Sequence, residues 1–284
     1  MTLKTLNILA LAGATCLGAH GAFAGTITVK GSDTLVILSQ KWAETYMSKN
    51  PQTKIQVTGG GSGIGFAALQ NKSTDIANAS RPIKTAERAA CIKVFNKSPR
   101  EYKVALDGLS VYVGSDNPID ELSLEQLEQI FTGKVRNWKE IGGKDAPITV
   151  YSRENSSGTY EFFKEHVLKG KDFVASAQTM PGTAALLQAV EKDKNGIGYG
   201  GAAYGHGAKV LKIKKTADSP GIEPTEENVV SGKYPIWRYL YNYLSPEKDK
   251  GEIAAFLNWV RSDEGQKIVS AVGYYPLPKN LREE

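Results

Sequence analysis

Apolar and polar positions alternate at the start of the chain's ordered pattern, where Ile27 and Val29 stand between Thr26, Thr28 and Lys30. That is the period of a half-buried strand, and it ends at Gly31-Ser32. The period then changes: Leu35, Leu38, Trp42 and Tyr46 recur at steps of three and four, which predicts a helix ending at Asn50-Pro51. Lys54 to Thr58 predicts a second strand, with Ile55 and Val57 on one face, running into Gly59-Gly60-Gly61-Ser62-Gly63 and a short helix around Phe66 to Gln70. Residues 73–83 repeat the order, with a strand ending at Ser80 and a helix containing Glu87 and Arg88.

A longer β segment from Tyr102 to Val113 has the length to cross from one lobe to another. Beyond it, Ser123 is placed to cap a helix carrying Leu124, Leu127, Ile130 and Phe131 and ending at Gly133. Strands are predicted at residues 147–153 and 196–201, and helices at 157–169 and 183–192. The stretch from Thr216 to Lys233 is rich in Ser, Pro, Gly and Glu and reads as a linker before a return crossing. An aromatic β segment at 234–244 and two helices, near 247–262 and 263–271, complete the chain. Strands alternating with helices predict an α/β protein with mostly parallel sheets, whose ligand sites lie at the carboxyl ends of strands.

With 284 residues, 41% apolar and 23% charged, the chain has the length for two packed lobes, and composition excludes disorder, collagen and a multi-span membrane protein. Thirty-five Lys and Arg against 30 Asp and Glu give +5, too small an excess to name an anionic partner. Lys4, an apolar run from Leu6 to Leu17, and Ala22-Phe23-Ala24 read as a secretory signal over residues 1–24, cleaved after Ala24. That run is shorter than the ~20 residues needed to span a bilayer. A lipid anchor at Cys16 is the competing reading, although Thr15 stands where a small residue would precede it. Cleavage would leave Cys91 alone, so no intrachain disulfide is expected, and its place in a helical pattern predicts a buried apolar role.

Three small-polar turns each stand between a strand and a helix: residues 31–35 (GSDTL), 59–65 (GGGSGIG) and 152–160 (SRENSSGTY). The first turn of a helix offers N–H groups and the positive end of its dipole, and Ser and Thr add uncharged donors. Any one of them is an ordinary helix cap. Three together, with Arg81 and Arg153 at strand ends, suit an oxyanion gripped from several sides.

Rival motifs fail on their own spacing. No Gly-Lys pair is followed by Ser or Thr, so there is no P-loop. Gly196, Gly198 and Gly201 match a dinucleotide fingerprint but follow charged residues rather than a strand. Gly63, Gly65 and Ala68 fit its looser form, yet the next strand ends in Ser80-Arg81 instead of an acid. Ile64 breaks the nucleophile-elbow pattern around Ser62. Beyond His20 in the signal only His166 and His206 remain, both expected on a surface or loop, which argues against a base and, with one cysteine, against a zinc site.

In order, GSDTL with KWAETY downstream, GGGSG, ASRPI, FTGKVRNW, SRENSSGTYEFF and GIGYGG resemble the phosphate-binding proteins of Pst-type ABC uptake systems, over essentially all of the chain beyond residue 24. The resemblance implies a two-lobed, type II periplasmic-binding fold joined by two crossing segments. Lobe one would comprise residues 25–107 and 235–284, and lobe two residues 108–234. It implies a periplasmic monomer that closes on inorganic phosphate and hands it to a membrane ABC permease, with no catalysis, cofactor, metal or nucleic acid. A secreted phosphate-ester hydrolase or a phosphate-sensing interaction protein is the alternative on the same fold.

Carried over, the family's motifs place phosphate on Thr34 and the Leu35 backbone, on Ser62, and on Arg153, Ser157, Gly158 and Thr159, with Ser32 alongside. Where some members carry Ser-Asp, whose carboxylate accepts the phosphate proton, this chain has Ser80-Arg81, resembling a branch that uses arginine. Asp33 is then a candidate for the acceptor; equally, it is placed to cap its own helix or to balance Arg81.

Overall fold

The computed structural model describes residues 25–205 and 207–282; the expected signal segment, with Cys16 and His20, and His206 lie outside the described residues. In chain order, β1 (Thr26–Gly31) passes through a 3-10 turn at Asp33–Leu35 into α1 (Val36–Lys49), β2 (Lys54–Thr58) into α2 (Ser62–Gln70), and β3 (Ile76–Ala79) into α3 (Thr85–Phe95). Then come β4 (Arg100–Gly108), β5 (Ser110–Val113), β6 (Glu121–Ser123), α4 (Leu124–Phe131), β7 (Thr149–Arg153) and α5 (Gly158–His166). They are followed by β8 (Gln178–Met180), α6 (Gly182–Lys192), β9 (Gly196–Gly200), β10 (Lys209–Val210), β11 (Lys212–Lys214) and α7 (Glu226–Val230). The chain closes with β12 (Trp237–Leu244), α8 (Gly251–Arg261) and α9 (Asp263–Val272).

Two five-stranded sheets organise these elements, in the orders β2-β1-β3-β12-β4 and β10-β5-β9-β7-β8. β1 runs parallel to β2 and β3, and β12 is antiparallel to both β3 and β4, so only β12 opposes the common direction of the first sheet. In the second, β7 is parallel to β8 and β9 while β5 is antiparallel to β9 and β10, leaving β5 as the opposed strand. Both sheets are therefore mostly parallel, as the alternation predicts.

The β segment expected from Tyr102 to Val113 breaks at Leu109: β4 belongs to the first sheet and β5 to the second. Alongside it the chain returns, the Leu109 N–H donating to Ile236 O at 2.9 Å and the Tyr234 hydroxyl to Leu109 O at 2.8 Å. These are the two crossing segments. The residues on the predicted face of α1, Leu35, Leu38, Trp42 and Tyr46, are all buried in one core with Ile27, Val29, Leu240 and Val260. Leu127, Ile130 and Phe131 of α4 join Phe163, Ile197 and Tyr199 in the other. Ser123 caps α4 as expected, accepting from Gln126 N at 3.1 Å while the Gln126 side chain returns to Ser123 N at 2.9 Å. Cys91 is fully buried, and burial pushes its thiol up from the ordinary value.

Some boundaries differ from the pattern. The helix expected over 157–169 stops at His166, because Lys169 and Gly170 both take positive φ and turn the chain. The linker holds the short α7, and β6, β8, β10 and β11 are two or three residues long, below the length at which alternation is visible.

On α4, buried Glu128 pairs with Lys169 at 2.9 Å and with Lys171. Hydrogen bonds from Lys171 and Lys169 lower its carboxyl from 4.5 to about 2. A carboxylate whose folded pKa lies below its unfolded value adds stability that is complete above the unfolded value and lost as pH falls through the folded one. Melting temperature should therefore fall between pH 4.5 and about 2, and Glu128→Gln should reduce that slope. Parallel pH profiles for the two proteins would contradict this assignment.

Candidate functional site

The parallel strands deliver their polar turns to the space between the sheets. Gly31 ends β1 at φ +144°, and a Cβ there would lie 2.2 Å from Asn78 O, so only glycine lets β1 close on the end of β3. Ser32 N–H then donates to Asn78 O at 3.0 Å, and Leu35 N–H donates to Ser32 O at 3.1 Å to close the 3-10 turn. Gly61, at φ +95°, lies where the second turn meets the third from the opposite sheet: a Cβ would sit 2.4 Å from Ser156 O. Nearby, Gly63 N–H donates across the interface to that same oxygen at 2.9 Å.

At the centre is a knot of buried hydroxyls. Ser32 Oγ donates to Ser80 Oγ at 2.9 Å, and Ser62 Oγ lies 3.4 Å from Ser80 Oγ while accepting the Ser80 N–H at 3.1 Å. From the other sheet, Thr159 Oγ1 is 2.8 Å from Thr34 Oγ1 and 3.5 Å from Ser80 Oγ. All five side chains are at most 2% exposed. Gly158, first residue of α5, faces Ser62 and Ser80 directly. Ser157 caps α5, its Oγ accepting from Tyr160 N at 3.3 Å.

Two guanidinium groups lie in this region: Arg238 bonds the knot directly, and Arg153 bonds Asp33, the neighbour of Thr34. Arg153, with its side chain 1% exposed, bonds Asp33 Oδ2 through Nη2 at 2.9 Å, Glu154 through Nη2 and Nε at 3.0 and 3.1 Å, and Thr183 through Nη1 at 2.8 Å. Four of its five N–H groups are thus used, which leaves the second on Nη1. Burial alone would raise the Glu154 carboxyl, but the Arg153 guanidinium outweighs it and holds the group below its ordinary value. Arg238 is the second cation. Its Nη2 donates to Thr159 Oγ1 at 3.0 Å and its Nη1 to Ser80 O at 3.0 Å, while Nε and Nη2 hold Asp107 Oδ2 at 2.9 and 2.8 Å.

Arg81, the second cation expected from the sequence, lies away from the knot in this structure. The Arg81 guanidinium turns onto Glu87, with both Nη atoms at 2.7 Å from its carboxylate, and stacks over Phe66 at 5.1 Å. Nor does Asp33 balance Arg81: its partner is Arg153, and its other oxygen accepts Gly60 N–H at 2.8 Å. Both carboxylate oxygens of Asp33 thus bond outside its own turn. The Leu35 N–H, assigned to phosphate by resemblance, is used within its turn. Ser32, Thr34, Ser62, Ser80, Gly158 and Thr159 do converge, with Arg153 and Asp33 beside them. Missed were Thr183 and Arg238. A signal for Arg238 existed: an Arg among the aromatics of β12 and an Asp within apolar β4 are paired in register, and two opposite charges in adjacent buried strands point to each other.

Chemically, the assembly is rich in O–H and N–H donors, holds two cations each already matched by carboxylates, and is closed to water. It suits a compact oxyanion bound through directed hydrogen bonds rather than through net charge.

Residues 18–264 match the model of the PBP superfamily domain. The chain is 33% identical to the phosphate-binding protein PstS of Pseudomonas aeruginosa, covering 92% of this chain and 85% of that one. It is 34% identical to PstS of Bacillus subtilis, covering 89% and 81%. Among solved structures, one from Clostridium perfringens described as a phosphate ABC transporter substrate-binding protein, with phosphate bound, superposes with a TM-score of 0.82 at 29% identity, covering 89% of this chain and all of that one. An ABC-type phosphate transport receptor from Vibrio cholerae gives 0.71 at 26% identity, covering 89% and 100%.

Proposed function

The chain belongs to the PBP superfamily and, within it, to the phosphate-binding PstS proteins, and from this premise we propose that it captures inorganic phosphate between its closing lobes and delivers it to an ABC permease. One observation carries the reading: hydroxyls from three turns of the first sheet and one of the second are linked by contacts of 3.5 Å or less, with the Arg238 guanidinium bonded to one of them and the Arg153 guanidinium on Asp33 of the first turn. Thr34, Ser62, Ser80, Thr159 and the free N–H groups of Arg153 and Arg238 donate to the phosphate oxygens, with Arg238 in place of Arg81. Ser32 supports Ser80, and Ser157 and Gly158 bring the dipole of α5 to the anion.

Lobe one comprises residues 25–107 and 235–284 and lobe two 108–234, pivoting at the two crossings. Export to the periplasm after cleavage at Ala24, action as a monomer and docking of the closed form on the permease complete the proposal. The relatives are named as binding proteins, and turnover of phosphate esters forms no part of the reading.

Directed bonds of this kind, each contributing about 1.5 to 3 kcal/mol when one partner is charged, support micromolar or tighter affinity, about −8 kcal/mol. Calorimetry with inorganic phosphate tests this, and absence of binding would overturn it. Discrimination from sulfate needs an acceptor for the proton that phosphate retains near neutral pH. Asp33 is fixed by Gly60 and Arg153 through one lone pair on each oxygen, which leaves others to accept. Asp33→Asn should lower the ratio of phosphate to sulfate affinity at least fivefold; an unchanged ratio would remove Asp33 from that role.

A further inference from the structure

Tyr204 lies between β9 and β10 of the second sheet, outside the four hydroxyl-bearing turns, yet its hydroxyl donates to the main-chain carbonyl of Asp33 at 2.7 Å. Asp33 belongs to the turn after β1 of the first sheet. The opposite lobe thus holds this residue at two points: Tyr204 on its carbonyl and Arg153 on its carboxylate. The next carbonyl, of Thr34, accepts the Tyr274 hydroxyl at 2.6 Å, but Tyr274 follows α9 and packs in the same core as Leu35. Successive carbonyls of one turn are therefore pinned by two tyrosines, one from the turn's own lobe and one from across the cleft.

The segment bearing Tyr204 is itself firmly placed. Ala202 N–H donates to Asp107 Oδ1 at 3.0 Å, and Gly201 O accepts the Tyr112 hydroxyl at 2.8 Å. A Cβ on Gly201 would come within 2.6 Å of Tyr274 Oη and 3.0 Å of Thr34 Cγ2, so this segment approaches the turn as closely as glycine permits. Burial, reinforced by the negative Asp33, pushes the Tyr204 phenol up to about 12, which keeps it a proton donor through the neutral range.

We propose that Tyr204 is a latch across the lobes, a positioning residue that takes the Asp33 carbonyl as they close, fixes the Asp33–Thr34 turn about the anion and slows its release. The proposal rests on the phosphate reading above. A bond made after the anion has entered affects escape and leaves entry unchanged, which separates a latch from a general structural contact. Tyr204→Phe keeps the ring and removes only the hydroxyl.

Stopped-flow kinetics with inorganic phosphate on the chain from residue 25 should show an off-rate three to tenfold faster, an on-rate unchanged, and a phosphate-free melting temperature equal to that of the unsubstituted protein. Tyr274→Phe, which breaks a bond within one lobe, should instead lower the phosphate-free melting temperature. An unchanged off-rate in Tyr204→Phe overturns the latch while leaving the phosphate reading intact. So does a slower on-rate accompanied by a lower phosphate-free melting temperature, which marks a structural contact present before closure. Failure of the unsubstituted chain to bind phosphate overturns the reading and the latch together.

Discussion

Gly158→Ala should weaken phosphate binding at least a hundredfold while leaving the phosphate-free protein as stable as before. A Cβ on Gly158 would stand 2.2 Å from Ser62 Oγ, 2.9 Å from Ser62 Cβ and 2.8 Å from Ser80 Oγ. None of these can yield cheaply. Ser62 Oγ accepts the Ser80 N–H, and swinging it away would strip a buried donor of its partner. The lobes must instead stand apart, and a separation of about 1 Å carries hydroxyls now within 3.5 Å of one another beyond hydrogen-bonding reach. Loss of one or two such bonds in a dry site is worth about 2.7 kcal/mol, the equivalent of a hundredfold.

Since Ala is a better helix former than Gly and the clash lies between lobes, the open protein is not penalised. Gly63→Ala is the matched control: its Cβ would meet Ser156 O at 3.4 Å, an ordinary contact, and affinity should stay within a few fold. Calorimetry and thermal melting with and without phosphate distinguish the two variants. Equal affinities for Gly158→Ala and the unsubstituted chain would show that the lobes do not close at this point.

Arg153→Ala should weaken phosphate binding between ten and a hundredfold. Its remaining N–H is worth about 1.5 to 3 kcal/mol as a charge-assisted bond, and its removal also leaves Asp33 and Glu154 as uncompensated carboxylates beside an incoming dianion. Those side chains are 17% and 29% exposed, so they can hydrate, and folding stability should fall less than binding. Arg153→Lys keeps the charge without the planar fork that reaches Asp33, Glu154 and Thr183 together, and should lie between the two. A change smaller than twofold on Arg153→Ala would remove the third turn from the binding site.

How much of this was legible follows from what sequence periodicity encodes. Helix faces and the alternation of strands and helices were readable because burial repeats with the backbone's own period, as Leu35, Leu38, Trp42 and Tyr46 show. The turns bearing Ser32, Thr34, Ser62 and Thr159 were readable as small-polar ends of strands, and the choice of hydroxyls within them came from the family resemblance; the structure brings these hydroxyls together. Arginine was harder. Arg81 and Arg238 each have long side chains whose direction depends on a partner elsewhere in the fold, and Glu87, in the first turn of α3, pairs with Arg81. Arg238 finds Asp107 only because β12 pairs with β4 in the register that sets them opposite, a contact separated by 131 residues. Tyr204 was invisible for the same reason: its partner is a carbonyl, which no residue type announces.

The central claim is that these separate turns enclose one tetrahedral anion. Diffraction from crystals of the chain grown with inorganic phosphate tests it most directly. The account predicts tetrahedral density between the lobes, within hydrogen-bonding distance of Thr34, Ser62, Ser80 and Thr159 and of the guanidinium groups of Arg153 and Arg238. Phosphate bound elsewhere, with those hydroxyls still bonded only to one another at saturating concentration, would contradict it.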